Sequence, residues 1–435
     1  MKKQFDAIII GSGIIGACTA LELSRRGFRT LNIDKEAAAG YGSTANSSAV
    51  IRTHYSTFQG TALAWESYHQ WKQWSDFVGS ADDSGLARYV ETGILAIKRD
   101  KQEQQKIEAL HKELGIPFEI WDTERIRRQF PHFDLRSFWP PKRPDDEQFG
   151  VPGDEEIVEA LYFPSGGFVN DPILAVHNAQ RAAEKEGAAF LFRRGVIEIH
   201  HSNGRISGVV TSDGMGFEAP VVINAAGPHS DLVNQMAGVT GDMRIRTRPL
   251  RHEVHYTPAP EQPVDGRAGM VVTDDDVGVY SRPETGEKML IGSLDPACDV
   301  AEWVDDPDSC DHEVTRPQWE SQVYRLAQRI PELPIPTHPL GVADLYDVSD
   351  DWIPIYDKSG LPGFYLAVGT SGSQFKNAPV VGRMMAELVV ACEDGRDHDR
   401  DPVQVEGRFT DVTIDLAFYS RLRVINRESS FSVLG

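Results

Sequence analysis

The first 34 residues constrain the chain more than anything that follows. An apolar run at residues 5–10 leads into Gly11-Ser12-Gly13-Ile14-Ile15-Gly16, good helix formers continue to Arg26, Gly27 interrupts them, and a second apolar run at 30–33 ends on Asp34. Short runs that are apolar throughout suit the centre of a parallel sheet, so the segment predicts strand, turn, helix, strand. Each glycine has a mechanical task. Gly11 permits the tight turn, Gly13 lets a pyrophosphate approach the backbone, and Gly16 lets helix and strand pack closely. The N-terminus of the helix offers free N–H groups and partial positive charge to a diphosphate, which places Ser12, Ile14 and Ile15 beside the phosphates with the glycines. Asp34, 23 positions after Gly11, suits a carboxylate that accepts hydrogen bonds from a ribose.

Composition narrows the partners. With 44 Lys and Arg against 65 Asp and Glu, the formal charge is −21 over 435 residues. That excess argues against a nucleic-acid binder and against anionic membrane surfaces, since both need clustered cations. No run reaches the roughly 18 apolar residues of a membrane-spanning helix. Cys18, Cys298, Cys310 and Cys392 are scattered with no CxxC pair, so neither a zinc site nor a disulfide framework is indicated. A reducing cytoplasm is the expected compartment.

Further along, residues 61–78 read as a helix bearing Trp65, Tyr68, Trp71 and Trp74, an aromatic stripe that points to core packing. Strand and helix patterns alternate from 91 to 122, and residues 131–152 read as irregular. A helix over 171–187 has Asp171 as its cap and Pro172 in its first turn. Strands follow at 188–192, 196–200, 205–211 and 221–225, and strand character returns between 248 and 294. Residues 274–276, three consecutive aspartates, read as a solvated turn without metal-ligand spacing. The acidic stretches 305–311 and 394–401 read as solvated loops. His252 and His255 form no HExxH and read as structural or surface groups. A strand at 364–368, a Gly/Ser loop and a helix at 379–392 close the pattern.

A nicotinamide-dependent dehydrogenase usually continues as regular strand–helix units. Here the second strand runs instead into Gly42-Ser43-Thr44-Ala45-Asn46-Ser47-Ser48, and glycine-marked strand ends recur at Ala225-Ala226-Gly227 and at Gly369-Thr370-Ser371-Gly372. Strand ends converging from three distant places suit a long, extended cofactor, and FAD fits that better than NAD.

On these residues, together with Ala49-Val50-Ile51-Arg52, Pro228 and Ser373-Gln374-Phe375-Lys376-Asn377-Ala378-Pro379, the sequence resembles the D-amino acid oxidase superfamily of flavoproteins. The likeness is greatest to the branch of sarcosine oxidases and the sarcosine oxidase β subunit. The resemblance implies an α/β, two-domain fold: a Rossmann-like FAD-binding domain with an inserted substrate domain on a mixed, mostly antiparallel sheet. The segments expected in the first domain are 1–85, 153–240 and 335–400, those in the second 86–152 and 241–334, with 401–435 packing back on the first. The reaction implied is oxidation of the C–N bond of a small or N-methyl amino acid, such as sarcosine or glycine, to an imine. Arg52 and Lys376 match the positions that bind the substrate carboxylate, and a planar donor fork with a second point charge suits that task. Tyr280, on an expected roof strand, is a candidate to face the substrate. His54, with Tyr55 beside it, either lines the same cavity or packs in a loop. The cofactor-contacting set carried with the resemblance is Gly11 to Gly16, Asp34, Lys35, Ser43, Thr44, Asn46, Ser47, Ser48, Val196, Ala225, Ala226, Gly227, Gly369, Ser371, Gly372, Ser373, Gln374, Phe375 and Lys376.

Two departures from the family pattern shape the expectations. Asp344 stands where a flavin-linking cysteine would be, and Asn46 stands near where dimethylglycine-type enzymes carry a histidine, so FAD is expected to be non-covalent. Leu290 occupies the position of an oxygen-activating lysine, with Lys288 two residues earlier, so the electron acceptor is O₂ or an electron-transfer partner. Competing readings are a 2-hydroxy-acid oxidoreductase, an NAD dehydrogenase, and a flavin subunit of a larger hetero-oligomer.

Overall fold

In the computed structural model, which describes residues 3–79, 82–260 and 269–434, the first strands lie in a six-stranded sheet. Its order is Ala189–Leu191, Thr30–Ile33, Ala7–Ile10, Val221–Asn224, Phe364–Val368, Ile355–Lys358. Neighbours run parallel except the last pair. Ala7–Ile10 is apolar throughout because both its faces are covered. Ala7 and Ile9 pack into one core with the helices Ile14–Ser24, Pro172–Lys185 and Ala378–Glu393, while Ile8 and Ile10 pack into a second core on the opposite face. The strand is shorter than the expected run at 5–10. Lys3–Gln4 instead pairs with Gly216–Glu218, in a four-stranded sheet completed by Arg205–Thr211 and Val196–Ser202.

The helices follow their local signals. Asp171 caps Pro172–Lys185 by accepting from the Leu174 N–H at 2.9 Å. The aromatic stripe lies on Phe58–Lys72, which starts earlier than expected because Thr57 caps it, and on the short helix Trp74–Val78. Tyr68, Trp71 and Trp74 are buried in the core as the pattern predicts. A Cβ on Gly382 would sit 2.6 Å from the Cys18 backbone, so Ala378–Glu393 lies in direct contact with Ile14–Ser24.

A nine-stranded sheet stands beside this layer. Its order is Glu302–Trp303, Thr247–Pro258, Lys288–Ser293, Val279–Glu284, Val271–Asp274, Ile94–Ile97, Glu159–Phe163, Glu119–Asp122, with Gly341–Ser349 also paired to Thr247–Pro258. Among the described residues the pairing is antiparallel except between Ile94–Ile97 and Val271–Asp274, which run parallel and come from the two segments expected in the second domain. Glu159–Phe163 and Gly341–Ser349 fall in segments expected to hold the cofactor, yet they pair here. Apolar alternation identifies a strand but carries no information about its partner.

The aspartate turn is the clearest correction. Asp274 and Asp276 are 1% and 0% exposed rather than solvated. The fully buried Arg329 reaches both, Nε to Asp274 Oδ2 at 2.7 Å and Nη2 to Asp276 Oδ2 at 2.9 Å. Asp275 pairs with Lys98 at 2.9 Å. The partners come from distant strands and helices, which no local charge pattern discloses. The stretches 305–311 and 394–401 keep their aspartates exposed, as expected.

The C-terminal segment divides. Val403, Val405, Ile414, Leu416 and Tyr419 join the helical core, whereas Val433 and Leu434 cross to the nine-stranded sheet beside Tyr280 and Leu290. No helix among the described residues is long and apolar enough to cross a membrane.

Candidate active site

Four carboxyl ends of the parallel strands meet at one edge of the six-stranded sheet, where ligands of open α/β sheets bind. Gly11 follows Ala7–Ile10 and its N–H donates to the Ile33 carbonyl at 2.9 Å. Ala225 follows the neighbouring strand and its N–H donates to the Ile10 carbonyl at 2.9 Å. The two turns touch so closely that a Cβ on Gly11 would lie 2.2 Å from the Ala225 oxygen, and Gly11 has a φ of +109°. Only glycine fits there. Asp34 ends the third strand, accepting from the Ser12 N–H at 2.7 Å and the Glu36 N–H at 2.9 Å, so it ties the glycine loop to the strand and keeps lone pairs for a ribose.

These residues fit the diphosphate of FAD. Helix Ile14–Ser24 begins at Gly13 without a side-chain cap, the buried Ser12 hydroxyl has no hydrogen-bond partner among the described residues, and a Cβ on Gly13 would press on the Thr44 hydroxyl at 3.1 Å. Thr44 Oγ1 accepts the Ile14 N–H at 3.3 Å. Ser43 donates to the Leu345 carbonyl at 2.8 Å. Arg194, two residues before Val196, donates its N–H to the Asp34 carbonyl at 3.0 Å, and Val196 itself opens a strand of the four-stranded sheet. Lys35 is exposed and bridges to Asp308 and His229. Ala226 and Gly227 open the turn after the Asn224 strand, with Gly227 at φ +57°.

Beyond the glycine loop lies a cavity between the two large sheets. Its lining includes Ser47, Ser48, Arg52, Tyr280, Gly372, Ser373, Phe375 and Lys376 from the expected set. Residues 52 and 376, 324 positions apart, meet through Tyr55. The Arg52 guanidinium carbon lies 4.1 Å from the centre of the Tyr55 ring, and Lys376 Nζ donates to the Tyr55 hydroxyl at 3.0 Å. Trp71 donates its indole N–H to the Lys376 carbonyl at 2.7 Å, so the aromatic stripe also holds the lysine loop. Both cations are buried, Arg52 at 4% and Lys376 at 4% exposure. Arg52 donates to the His54 and Val433 carbonyls, and Lys376 to the Ser373 carbonyl. Among the described residues neither forms an ion pair with a carboxylate.

Burial and the Arg52 charge bring the Lys376 ammonium down to about 8. Burial alone would push the Tyr55 phenol up, but the Lys376 and Arg52 charges outweigh it and bring it down to about 8. His54 does not line the cavity. Its ring stacks on Phe163 with centroids 4.6 Å apart, and burial followed by the neighbouring cations holds it neutral. Of the two readings for His54, the packed loop is the one found. Gln374 and Ser371 also turn away from the cavity: Gln374 accepts from the Tyr356 hydroxyl at 3.1 Å, and Ser371 donates to the Gly369 carbonyl at 3.1 Å. Gly369 is held from below, its N–H donating to Asp347 Oδ2 at 2.6 Å. Leu290 is buried beside Tyr280, whereas Lys288, two positions earlier on the same strand, is exposed and does not line the cavity. Asn46 donates to Asp344 Oδ2 at 2.8 Å, joining the two positions singled out for flavin attachment.

Cavity residues that sequence reasoning missed are Val271, Thr273, Leu294, Tyr346, Val433 and Leu434. Tyr346 was within reach: it is two positions from Asp344 on Gly341–Ser349, and period two puts both on one face. Val433 and Leu434 carry no local signal.

The chain is 23% identical to bovine (Bos taurus) "FAD-dependent oxidoreductase domain-containing protein 1" over 96% of its length and 85% of that protein. It is 22% identical to "Sarcosine oxidase subunit beta" of Arthrobacter sp over 90% of its length and 88% of that protein. Its fold matches an L-proline dehydrogenase from P. horikoshii with a TM-score of 0.75 at 22% identity, covering 97% and 98% of the two chains. It matches glycine oxidase from Geobacillus kaustophilus with a TM-score of 0.73 at 19% identity, covering 98% and 100%. Residues 6–388 match the family profile described as "DAO: FAD dependent oxidoreductase", and the chain belongs to that family of FAD-dependent oxidoreductases.

Proposed function

We propose that the protein oxidises the C–N bond of a small or N-methylated α-amino acid to an imine, which water then hydrolyses. The observation that carries this reading is the pair of buried cations, Arg52 and Lys376, left without a carboxylate among the described residues. Burying two unpaired charges is costly unless a counter-ion arrives, and an anionic ligand supplies it. In a chain of charge −21, local positive charge is also needed to draw such a ligand in. Bound FAD supplies the two-electron acceptor. Arg52 and Lys376 grip the substrate carboxylate, Tyr55 spaces them, and Tyr280 closes the cavity from the nine-stranded sheet. Orientation does most of the work, because hydride transfer from an unprotonated amine requires alignment more than a strong base. The Asn46–Asp344 pair offers neither thiol nor imidazole, which supports non-covalent FAD; an acid-precipitated pellet is then colourless and the supernatant yellow. The similarity to a sarcosine oxidase subunit supports a second reading, that the chain works within a hetero-oligomer.

The test is reduction under argon of the purified holoprotein with sarcosine, glycine, D-amino acids and 2-hydroxyglutarate. Bleaching by the amines is the expected result, and bleaching by 2-hydroxyglutarate alone reassigns the chain to C–OH oxidation. Admission of air to the reduced protein separates an oxidase from a dehydrogenase. Bleaching that needs a co-purified partner supports the hetero-oligomer.

A further inference from the structure

The Arg52 guanidinium already carries a stand-in ligand from the chain itself. Arg52 Nη2 donates to the Val433 carbonyl oxygen at 2.7 Å, and the Val433 N–H faces the Asp295 carboxyl group. From nitrogen through Cα to carbonyl carbon, a peptide residue has the skeleton of an α-amino acid. Val433 thus lies in the cavity as such a ligand would, with its carbonyl end on the buried arginine and its nitrogen end on an aspartate. Its side chain packs beside Val254, Tyr280, Leu290 and Leu294.

Asp295 differs from an ordinary surface acid in three respects. Its backbone is left-handed, with φ of +55°, a region that aspartate enters more readily than most residues with a side chain. Its Oδ2 is buried and has no hydrogen-bond partner among the described residues, while Oδ1 lies 3.4 Å from His252 Nε2. It directly follows Leu294, a cavity residue, and its charge acts on Tyr280 and Tyr346, which line the same cavity.

We propose that Asp295 is the specificity residue for the amine end of the substrate, accepting the substrate N–H while Arg52 holds the carboxylate. The inference rests on the amine-oxidising reading and deepens it. The cavity then selects ligands whose nitrogen sits on the carbon next to the carboxylate, and the apolar surroundings of the Val433 side chain take a small apolar substituent. The Val433 segment occupies this subsite in competition with substrate and moves aside when substrate binds.

The test compares Asp295→Asn with the unaltered holoprotein. Asparagine tolerates the left-handed conformation, so the turn is preserved. Sarcosine and glycine are titrated by flavin bleaching under argon, and acetate, which has a carboxylate and no amine, by flavin difference spectra. The amines are expected to need about 10- to 100-fold higher concentration for half-maximal bleaching rate, as loss of a charge-assisted hydrogen bond predicts, while acetate affinity stays within about twofold. Amine and acetate titrations that are both unmoved, or both weakened alike, overturn the role of Asp295 and leave the amine-oxidising reading standing. An unaltered holoprotein bleached by no amine overturns that reading and this inference together.

Discussion

Replacing Arg52 by methionine keeps the length of the side chain and removes its charge. Arg52 is 4% exposed, and its hydrogen bonds go to neutral carbonyls of His54 and Val433. A hydrogen bond from a charged donor to a ligand carboxylate contributes about 1.5–3 kcal/mol, so acetate affinity should fall by roughly 10- to 150-fold. The effect on stability runs differently. The variant loses two bonds of similar size but is relieved of a buried, unpaired cation that costs several kcal/mol. These terms oppose one another, and Tm should stay within about 5 °C of the unaltered protein. A third consequence concerns pH. Arg52 is a like charge that helps hold Lys376 down, and it also lowers Tyr55. Without it both groups titrate higher, and the pH at which acetate binding is lost should rise. Flavin difference titrations across pH, with thermal melts on the same samples, read all three. An acetate affinity within twofold of the original, or a Tm lowered by more than about 10 °C with affinity intact, would mark Arg52 as a packing residue and refute the reasoning.

Three other perturbations probe separate parts of the argument. Below about 8 the cavity holds the Lys376 ammonium, the Arg52 guanidinium and a neutral Tyr55; above it, loss of a proton from Lys376 removes a positive charge or loss from Tyr55 adds a negative one, either of which lowers the net charge by one, so acetate affinity should be level at low pH and decline as pH rises through about 8. A rising affinity would contradict the assignment. Gly11→Ala forces a Cβ to within 2.2 Å of the Ala225 oxygen at a φ of +109°, and the chain should purify without flavin absorbance or fail to accumulate in soluble form. A yellow, fully loaded G11A protein would show that the two turns yield easily. Arg329→Leu strands Asp274 and Asp276 in the interior and should cost about 3–5 kcal/mol, seen as a Tm lowered by several degrees; an unchanged Tm would mean the buried network contributes nothing net.

What the sequence determined by itself is local. The strand–turn–helix–strand at the N-terminus, Asp34 at its end and the Asp171 cap were legible because each is enforced by contiguous residues, through glycine sterics, short, mostly apolar runs buried on both faces and a side chain capping its own helix. The resemblance located Arg52 and Lys376, but neither position carries a periodic signal of its own. Tertiary structure alone decided that these two cations share Tyr55, that His54 packs on Phe163 instead of lining the cavity, that Asp274 and Asp276 are buried on Arg329, and that Val433 reaches Arg52. Each of those contacts brings together segments distant in the chain, several of them loops carried by the strands and helices beside them. Its existence depends on which sheet a strand enters and in what register, and hydrophobic periodicity encodes the buried face of a strand without naming the neighbour that covers it.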